Sequence, residues 1–413
     1  MTILEEAGSK GLNFPAATAP PAAEPVSFIE DLKGRTTTAA AIAANNAVAV
    51  DRDARFPAEA ITAIRNQRLL GIMVPRDLGG EGASVSDVVD VCFGLGRACS
   101  STAMIYAMHQ IKIACIVRHK RNSTWHDRLL RRICSEQLLL ASSTTEGQAG
   151  GNIRSSAAPV EHGASRIALE RAATVISYGA SADGIVTTAR RSADAAPSDQ
   201  VLVVFLKDDY SLEPILAWDT LGMRGTCSAG FTLKATGDSA QILPDPYEKI
   251  HAQTMAPVAH LTWASVWAGI AAGAVERAQS FIRHAARQAN GQLPPGAAHF
   301  TKANSSLRLL RGLIGSSLRK FETVSDDERA LMSLDFQTMI NLTKVDASEL
   351  AVSTVMSALR ACGLSGYRND SDFGVGRYLR DVLSSPIMIN NDRILSNVAT
   401  ASLMSAIPAS LRD

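Results

Sequence analysis

Apolar residues recur at three- and four-residue intervals from about Val26 to Gln137, a spacing that predicts helices. Ala58, Ile61, Ile64, Leu69 and Leu70 form one stripe, with Pro57 suited to a first turn and Gly71 after the last periodic residue. A turn-rich break over 74–84 follows, where Ser84 and Ser86 are candidate caps for a helix carrying Val88, Val91 and Leu95. A third helix starts near Ser101 and is apolar nearly all round, the mark of a helix enclosed by others. At Leu138 the texture changes. Short runs of strand formers at 138–145, 165–171, 173–177, 184–190, 200–206 and 230–235 are separated by Gly, Asp, Ser and Pro, which predicts a β domain, barrel or sandwich. From Pro246 long helical patterns return over 248–289, 299–325, 327–362 and 388–406, enough for a four-helix bundle.

The expected fold class is therefore α+β and multidomain. A tail at 1–25, rich in Pro and Ala, precedes an N-terminal helical domain at 26–137, a central β domain at 138–245 and a C-terminal bundle at 246–413. The β-α-β alternation of a dinucleotide-binding sheet is not present in this order. A length of 413 residues suits several layers rather than one core.

Composition narrows the function classes. With 41 basic and 40 acidic residues the formal charge is +1, which gives no reason to expect nucleic acid. The densest basic run, Arg118 to Arg121 with Arg128, Arg131 and Arg132, lies on helical spacing around Trp125 and Leu129 and reads as a solvated face, with a contact for an acidic carrier or a phosphate-bearing ligand as the alternative. Six scattered cysteines without a CxxC pair, and without histidines at ligand spacing, suggest a reducing cytoplasm and no metal site. No uninterrupted apolar run suggests a membrane span, and the N-terminus lacks the order of a secretion signal.

Several motifs, in order, resemble the acyl-CoA dehydrogenases from roughly Val26 to the C-terminus. Residues 70–82 look like the family's glycine-rich turn, and Ser101-Thr-Ala followed by His109 is similar to its buried helix beside the substrate. The run from Ser142 to Asn152 resembles a strand and loop ending Thr-Glu-Pro-x-x-Gly-Ser-Asp, with Gly147 for proline and Gly151 and Asn152 for serine and aspartate. By that resemblance Thr145, Gly150 and the backbone of Thr144 touch a flavin. The segment from Val175 to Gly179 resembles Trp-Ile-Thr-Asn-Gly, where Ser177 can replace threonine as a donor but Val175 lacks the tryptophan's stacking surface.

The most specific stretch runs from Trp218 to Ser228 and resembles a Leu-Gly-x-Arg-Gly-Thr segment of the family and of its flavin monooxygenase relatives. Arg287 and Gly291 resemble a segment that reaches across a dimer interface to the cofactor's diphosphate. Arg360, before Cys362-Gly-Leu-Ser-Gly, stands where a glutamine usually binds it, and a guanidinium suits phosphate. The implied cofactor is FAD, with FMN as the alternative, in a homo-oligomer, expected to be a homotetramer.

The family's α-proton abstraction needs a carboxylate within reach of the substrate. The resemblance puts it eight residues past the aspartate of Tyr378-Leu-Arg-Asp381, where this chain has Ile389. A branch of the family keeps it on the first bundle helix, but that region holds His260, Thr262 and Trp263, with no acidic residue between Glu248 and Glu276. Asp392 is a substitute base or a cap on the last helix, and Asn391 could replace a threonine that contacts the cofactor. His109 and His260 are candidate proton carriers or satisfied buried histidines. Arg224 and Cys227 read as structural.

Three functions follow from the resemblance. One is a FAD-dependent oxidoreductase acting on an acyl thioester of CoA or an acyl carrier protein, with a non-standard base and a separate electron acceptor. The second is a monooxygenase of the same fold, supplied by a flavin reductase and oxygen. The third is a non-catalytic acyl- or partner-binding protein.

Overall fold

The structure, a computed structural model, describes residues 31–146 and 155–404. Five helices come first: α1 (Leu32–Arg52), α2 (Ala58–Asn66), α3 (Val85–Ala98), α4 (Ser100–His119) and α5 (Thr124–Glu136). Ser84 caps α3 in a capping box, because its Oγ accepts from the Asp87 amide while the Asp87 carboxylate accepts from the Ser84 amide. Helix α4 is buried along almost its whole length, as its all-round apolar character predicts.

The β region forms two sheets rather than a closed barrel. Strands β1 (Leu140–Ser143), β4 (Gly184–Arg190) and β5 (Gln200–Leu206) make one, with β1 parallel to β4. The other runs in the order β2 (Glu161–His162), β3 (Arg166–Ala173), β7 (Gly230–Asp238) and β6 (Tyr210–Leu216). Two local expectations change. The run at 173–177 is not a strand of its own: β3 ends at Ala173, and a loop leads to Tyr178 in the left-handed region at φ 44°. Strand β6, absent from the expected runs, lies at the sheet edge, where Pro214 is tolerated because no second neighbour needs its N–H.

The C-terminal part opens with α6 (Tyr247–Ile250) and a π turn (His251–Met255) that runs into α7 (Ala256–Gln288). Helix α7 packs on α8 (Ala297–Val324) and α10 (Leu334–Cys362), and α13 (Asn391–Met404) covers α10. The expected helix at 327–362 is split: Ser333 is extended and caps α10 through the Phe336 amide, leaving α9 (Glu328–Met332) separate. Two short helices, α11 (Leu364–Tyr367) and α12 (Gly376–Val382), lead back to the β region. The continuous helical run Tyr247–Gln288 is, against expectation, long and apolar enough to cross a membrane, but it is almost wholly buried inside the fold. Helix α7 also touches α3 closely, since a Cβ on Gly96 would lie 2.6 Å from the Val266 carbonyl oxygen. That contact joins the N-terminal helices and the bundle around one core.

Candidate active site

A cavity of about 580 Å³ lies where these parts meet. Helix α4 contributes Met104, Met108, Ile111 and Lys112, which the helical repeat places on one face. The π turn and α7 contribute Met255, Ala259, His260 and Trp263. From the β region, Ser142 lies in β1 and Thr144 and Thr145 follow it, Val175 and Ser177 follow β3, and Trp218 to Met223 precede β7. The segment from Leu383 to Ile389 closes the lining. Most of this surface is apolar, and methionines supply adaptable walls.

Hydroxyls mark one side. Thr226, Ser228 and Ser177 form a chain with Oγ separations of 2.7 and 2.8 Å. Ser228 donates to Ser177, so the Ser177 proton is available to a ligand. Thr226 lies under the turn that Met223 makes at φ 53°. Three side-chain bonds hold that turn: the Met223 amide donates to Asp381 Oδ1 at 2.7 Å, and its carbonyl accepts from Trp218 Nε1 at 3.2 Å and Thr226 Oγ1 at 2.8 Å. Gly222 is required beside it, because any Cβ there would run into the Arg380 carbonyl. Backbone in this region is costly unless its surroundings fix it, and such positions cluster at functional sites.

The charged groups of the lining are few. Arg380 pairs with Asp51 and donates through Nε to the Leu221 carbonyl at 3.1 Å. Lys112 is buried, and desolvation pushes its pKa down to about 8. His260 donates through Nδ1 to the Ile340 carbonyl at 3.1 Å, which makes Nε2 the acceptor nitrogen, and burial pushes its pKa down to about 4. His251 also lines the cavity. No aspartate or glutamate does so among the described residues.

Of the residues singled out from the sequence, Thr144, Thr145, Ser177, His260 and Ile389 line this cavity. Gly150 lies outside the described residues. The others sit elsewhere. His109 is fully buried between two backbone groups, with Nε2 bonded to the Leu70 carbonyl at 2.9 Å and Nδ1 accepting the Leu140 amide at 3.0 Å. Both nitrogens are used, so it acts as a strut between α4 and β1. Asn391 gives its side-chain oxygen to Lys344 and its amide hydrogens to Ser348 and Glu349, which leaves none for a cofactor. Asp392 is exposed in the first turn of α13, and Asn390 is the residue whose side chain caps that helix. Arg287 and Arg360 are exposed near the C-terminal ends of α7 and α10, away from this lining. Cys227 is half-buried with a raised pKa, the behaviour of an inert thiol.

Sequence reasoning missed Lys112. A lysine in a helix that is otherwise apolar all round was the available signal.

The acyl-CoA dehydrogenase N-terminal domain family matches residues 34–137. The chain is 26% identical over 359 residues to an L-evernosamine nitrososynthase of Micromonospora sp., spanning 82% of this chain and 81% of that protein. It is 21% identical over 366 residues to the probable acyl-CoA dehydrogenase FadE25 of Mycobacterium tuberculosis, spanning 87% and 91%. Among solved structures, FMN-bound TdsC from Paenibacillus sp. A11-2 has the same fold, with a TM-score of 0.80 at 18% identity over 91% of this chain and 98% of that one. The chain thus carries an acyl-CoA dehydrogenase N-terminal domain, and relatives that run along most of its length are homologues in the acyl-CoA dehydrogenase superfamily.

Proposed function

We propose that this chain is a flavin-dependent monooxygenase of that superfamily. The observation that carries the reading is the cavity's lack of a carboxylate among the described residues. Ile389 lies in the wall with its carbonyl held by Lys344, and Asp392, the acidic candidate singled out from the sequence, is exposed at the start of α13. Dehydrogenation of an acyl thioester requires a base at the α-carbon, whereas oxygen insertion does not.

The lining suits a flavin. Its body is apolar, a donor hydroxyl at Ser177 and the Thr144 and Thr145 hydroxyls stand along one side, and a volume of about 580 Å³ lies in the range of cofactor and ligand sites. Ser177, Thr144 and Thr145 would hydrogen-bond the ring. Arg287 and Arg360 would meet the phosphates of a neighbouring subunit's cofactor in a homo-oligomer, FAD if both contacts form and FMN if one suffices. When bound in its reduced form, the flavin supplies the two electrons with which dioxygen delivers one oxygen atom to the substrate and the other to water. The protein's part is to exclude water with its methionine-rich wall and to offer His260 Nε2 as a hydrogen-bond acceptor at the substrate. A flavin reductase is the implied partner. The related nitrososynthase and the fold shared with TdsC support this reading over an acyl-CoA dehydrogenase like FadE25.

The test is spectroscopic. The purified protein is expected to bind flavin, to keep its oxidised absorption when mixed anaerobically with butyryl-CoA, and to consume oxygen when given reduced flavin. Bleaching by the thioester would return the chain to acyl thioester dehydrogenation, and failure to bind any flavin would remove both.

A further inference from the structure

Lys112 differs from Arg380 of the same lining in having no carboxylate to neutralise it among the described residues. It follows Met108 by one turn of α4 and is 3% exposed. Its Nζ hydrogen-bond partner among the described residues is the Met255 thioether at 3.6 Å, and the Tyr247 hydroxyl already donates to that sulfur at 3.4 Å. A thioether is a weak acceptor and an ammonium has three hydrogens to place. Arg380, by contrast, has Asp51. The neighbouring thiol of Cys115 is pushed up to about 12 by burial, so it supplies no negative charge. An ion withdrawn from water without a partner costs several kcal/mol, and natural chains retain such groups where a ligand completes them.

The position also assigns the ligand. The sulfur beside Lys112 belongs to the π turn before α7, whereas the hydroxyls suited to a flavin ring follow β1 and β3. We propose that Lys112 is a specificity-determining residue that binds an anionic oxygen of the substrate, so that the substrate is an apolar molecule carrying a carboxylate or a phenolate. This deepens the monooxygenase reading and rests on the cavity being its substrate site. The lysine fixes one end by a charge-assisted hydrogen bond, and Met104, Met108, Met255 and Trp263 enclose the apolar remainder. The oxidisable part of the substrate is thus oriented by a single polar contact in an otherwise non-directional pocket.

Calorimetric titration of the flavin-loaded protein at neutral pH tests this with benzoate and 4-nitrophenolate as anions and nitrobenzene as the uncharged analogue. Wild type is expected to favour at least one anion over nitrobenzene by about tenfold, and Lys112→Met to lose that preference while holding nitrobenzene within about twofold. Which anion binds tells a carboxylate from a phenolate. Lys112→Met should melt at or above the wild-type temperature, because it removes an unpaired buried charge. Equal binding of anions by wild type and Lys112→Met, no anion binding by wild type, or a lower melting temperature for the variant would each overturn the assignment. Flavin content, read from the absorbance of the same samples, reports separately on the monooxygenase reading.

Discussion

The Nζ of Lys344 lies 2.9 Å from the carbonyl oxygen of Ile389, the residue that stands in the cavity wall where the family resemblance expects a carboxylate. The same ammonium donates to the Ser385 carbonyl at 3.0 Å and Asn391 Oδ1 at 2.7 Å, and sits 5.6 Å from the Trp267 ring centroid. Three acceptors thus meet three hydrogens. The clamp holds Ile389 at φ 48°, a conformation that a β-branched residue adopts only when its surroundings impose it. The segment that would carry a flexible acid is instead a fixed apolar wall.

Removing the clamp should therefore cost far more than a surface lysine would. Lys344→Met leaves two buried acceptors and one half-buried acceptor without that donor and is expected to destabilise the protein by about 3 kcal/mol or more. Urea unfolding measures this, and a loss below about 1 kcal/mol would show that Ile389 holds its conformation unaided.

Gly222 is a second fixed point. A Cβ there would collide with the Arg380 carbonyl and lie 2.7 Å from the Asp381 amide, both backbone groups that cannot rotate away. Gly222→Ala should cost about 2 kcal/mol or more and lower flavin occupancy, because the adjoining Met223 turn is part of the cavity. Gly312, inside α8 with nothing within 4 Å of its Cβ position, is the control. Gly312→Ala should stabilise by about 0.5–1 kcal/mol through helix propensity. Similar melting shifts for the two would contradict the collision.

Buried histidines set the acid limit. His109 and His260 have pKa values pushed by burial from 6.5 to about 4. Their folded values lie below the unfolded ones, so the stability they confer is complete above pH 6.5 and is lost as pH falls toward 4. Each contributes roughly 3 kcal/mol across that window. Chemical denaturation between neutral pH and pH 4.5 should show the fall, and His109→Gln should lessen it while His260 still contributes; an unchanged slope in the variant would exclude His109 as a source.

Ser177 is the hydroxyl whose proton the Ser228 bond leaves available. Ser177→Ala should weaken flavin binding about five- to tenfold, the loss of one hydrogen bond, with little change in melting temperature. Fluorescence-quenching titrations with FMN and FAD separate these effects. Unaltered affinity for both would place the ring elsewhere.

Much of this was legible in the chain because it depends on local pattern. The Ser84 cap, the enclosed α4 and the long α7 follow from spacing and from the residues that start and stop helices. What failed depended on distant partners. Asn391 looked available until Lys344, 47 residues earlier, took its oxygen, and only Leu70 and Leu140, which take both nitrogens of His109, decide between a proton carrier and a satisfied buried histidine in favour of the latter. The run at 173–177 has strand composition, but the left-handed Tyr178 turns the chain there. Lys112 carried the opposite lesson: an unexplained charge in an apolar helix was visible in the sequence as an exception to its own pattern.

That exception gives a pH signature to anion binding. Burial lowers the Lys112 pKa from 10.5 to about 8, so the side chain is cationic below that value and neutral above it. The other ionisable side chains of the cavity are His251, His260 and Arg380, and His260 is neutral throughout the window at about 4. Beyond the wall, Tyr247 and Cys115 adjoin Lys112, and both are shifted upward by burial and stay protonated there. Benzoate remains ionised over the whole range, while the Lys112 ammonium loses its charge within it. Its affinity should be level below about pH 8 and fall by about tenfold for each further unit, since binding then requires uptake of one proton. Lys112→Met should give a weak, level profile. Calorimetry in two buffers of different ionisation enthalpy counts the proton directly. Benzoate binding by wild type without proton uptake above pH 8 would mean that another group holds the anion.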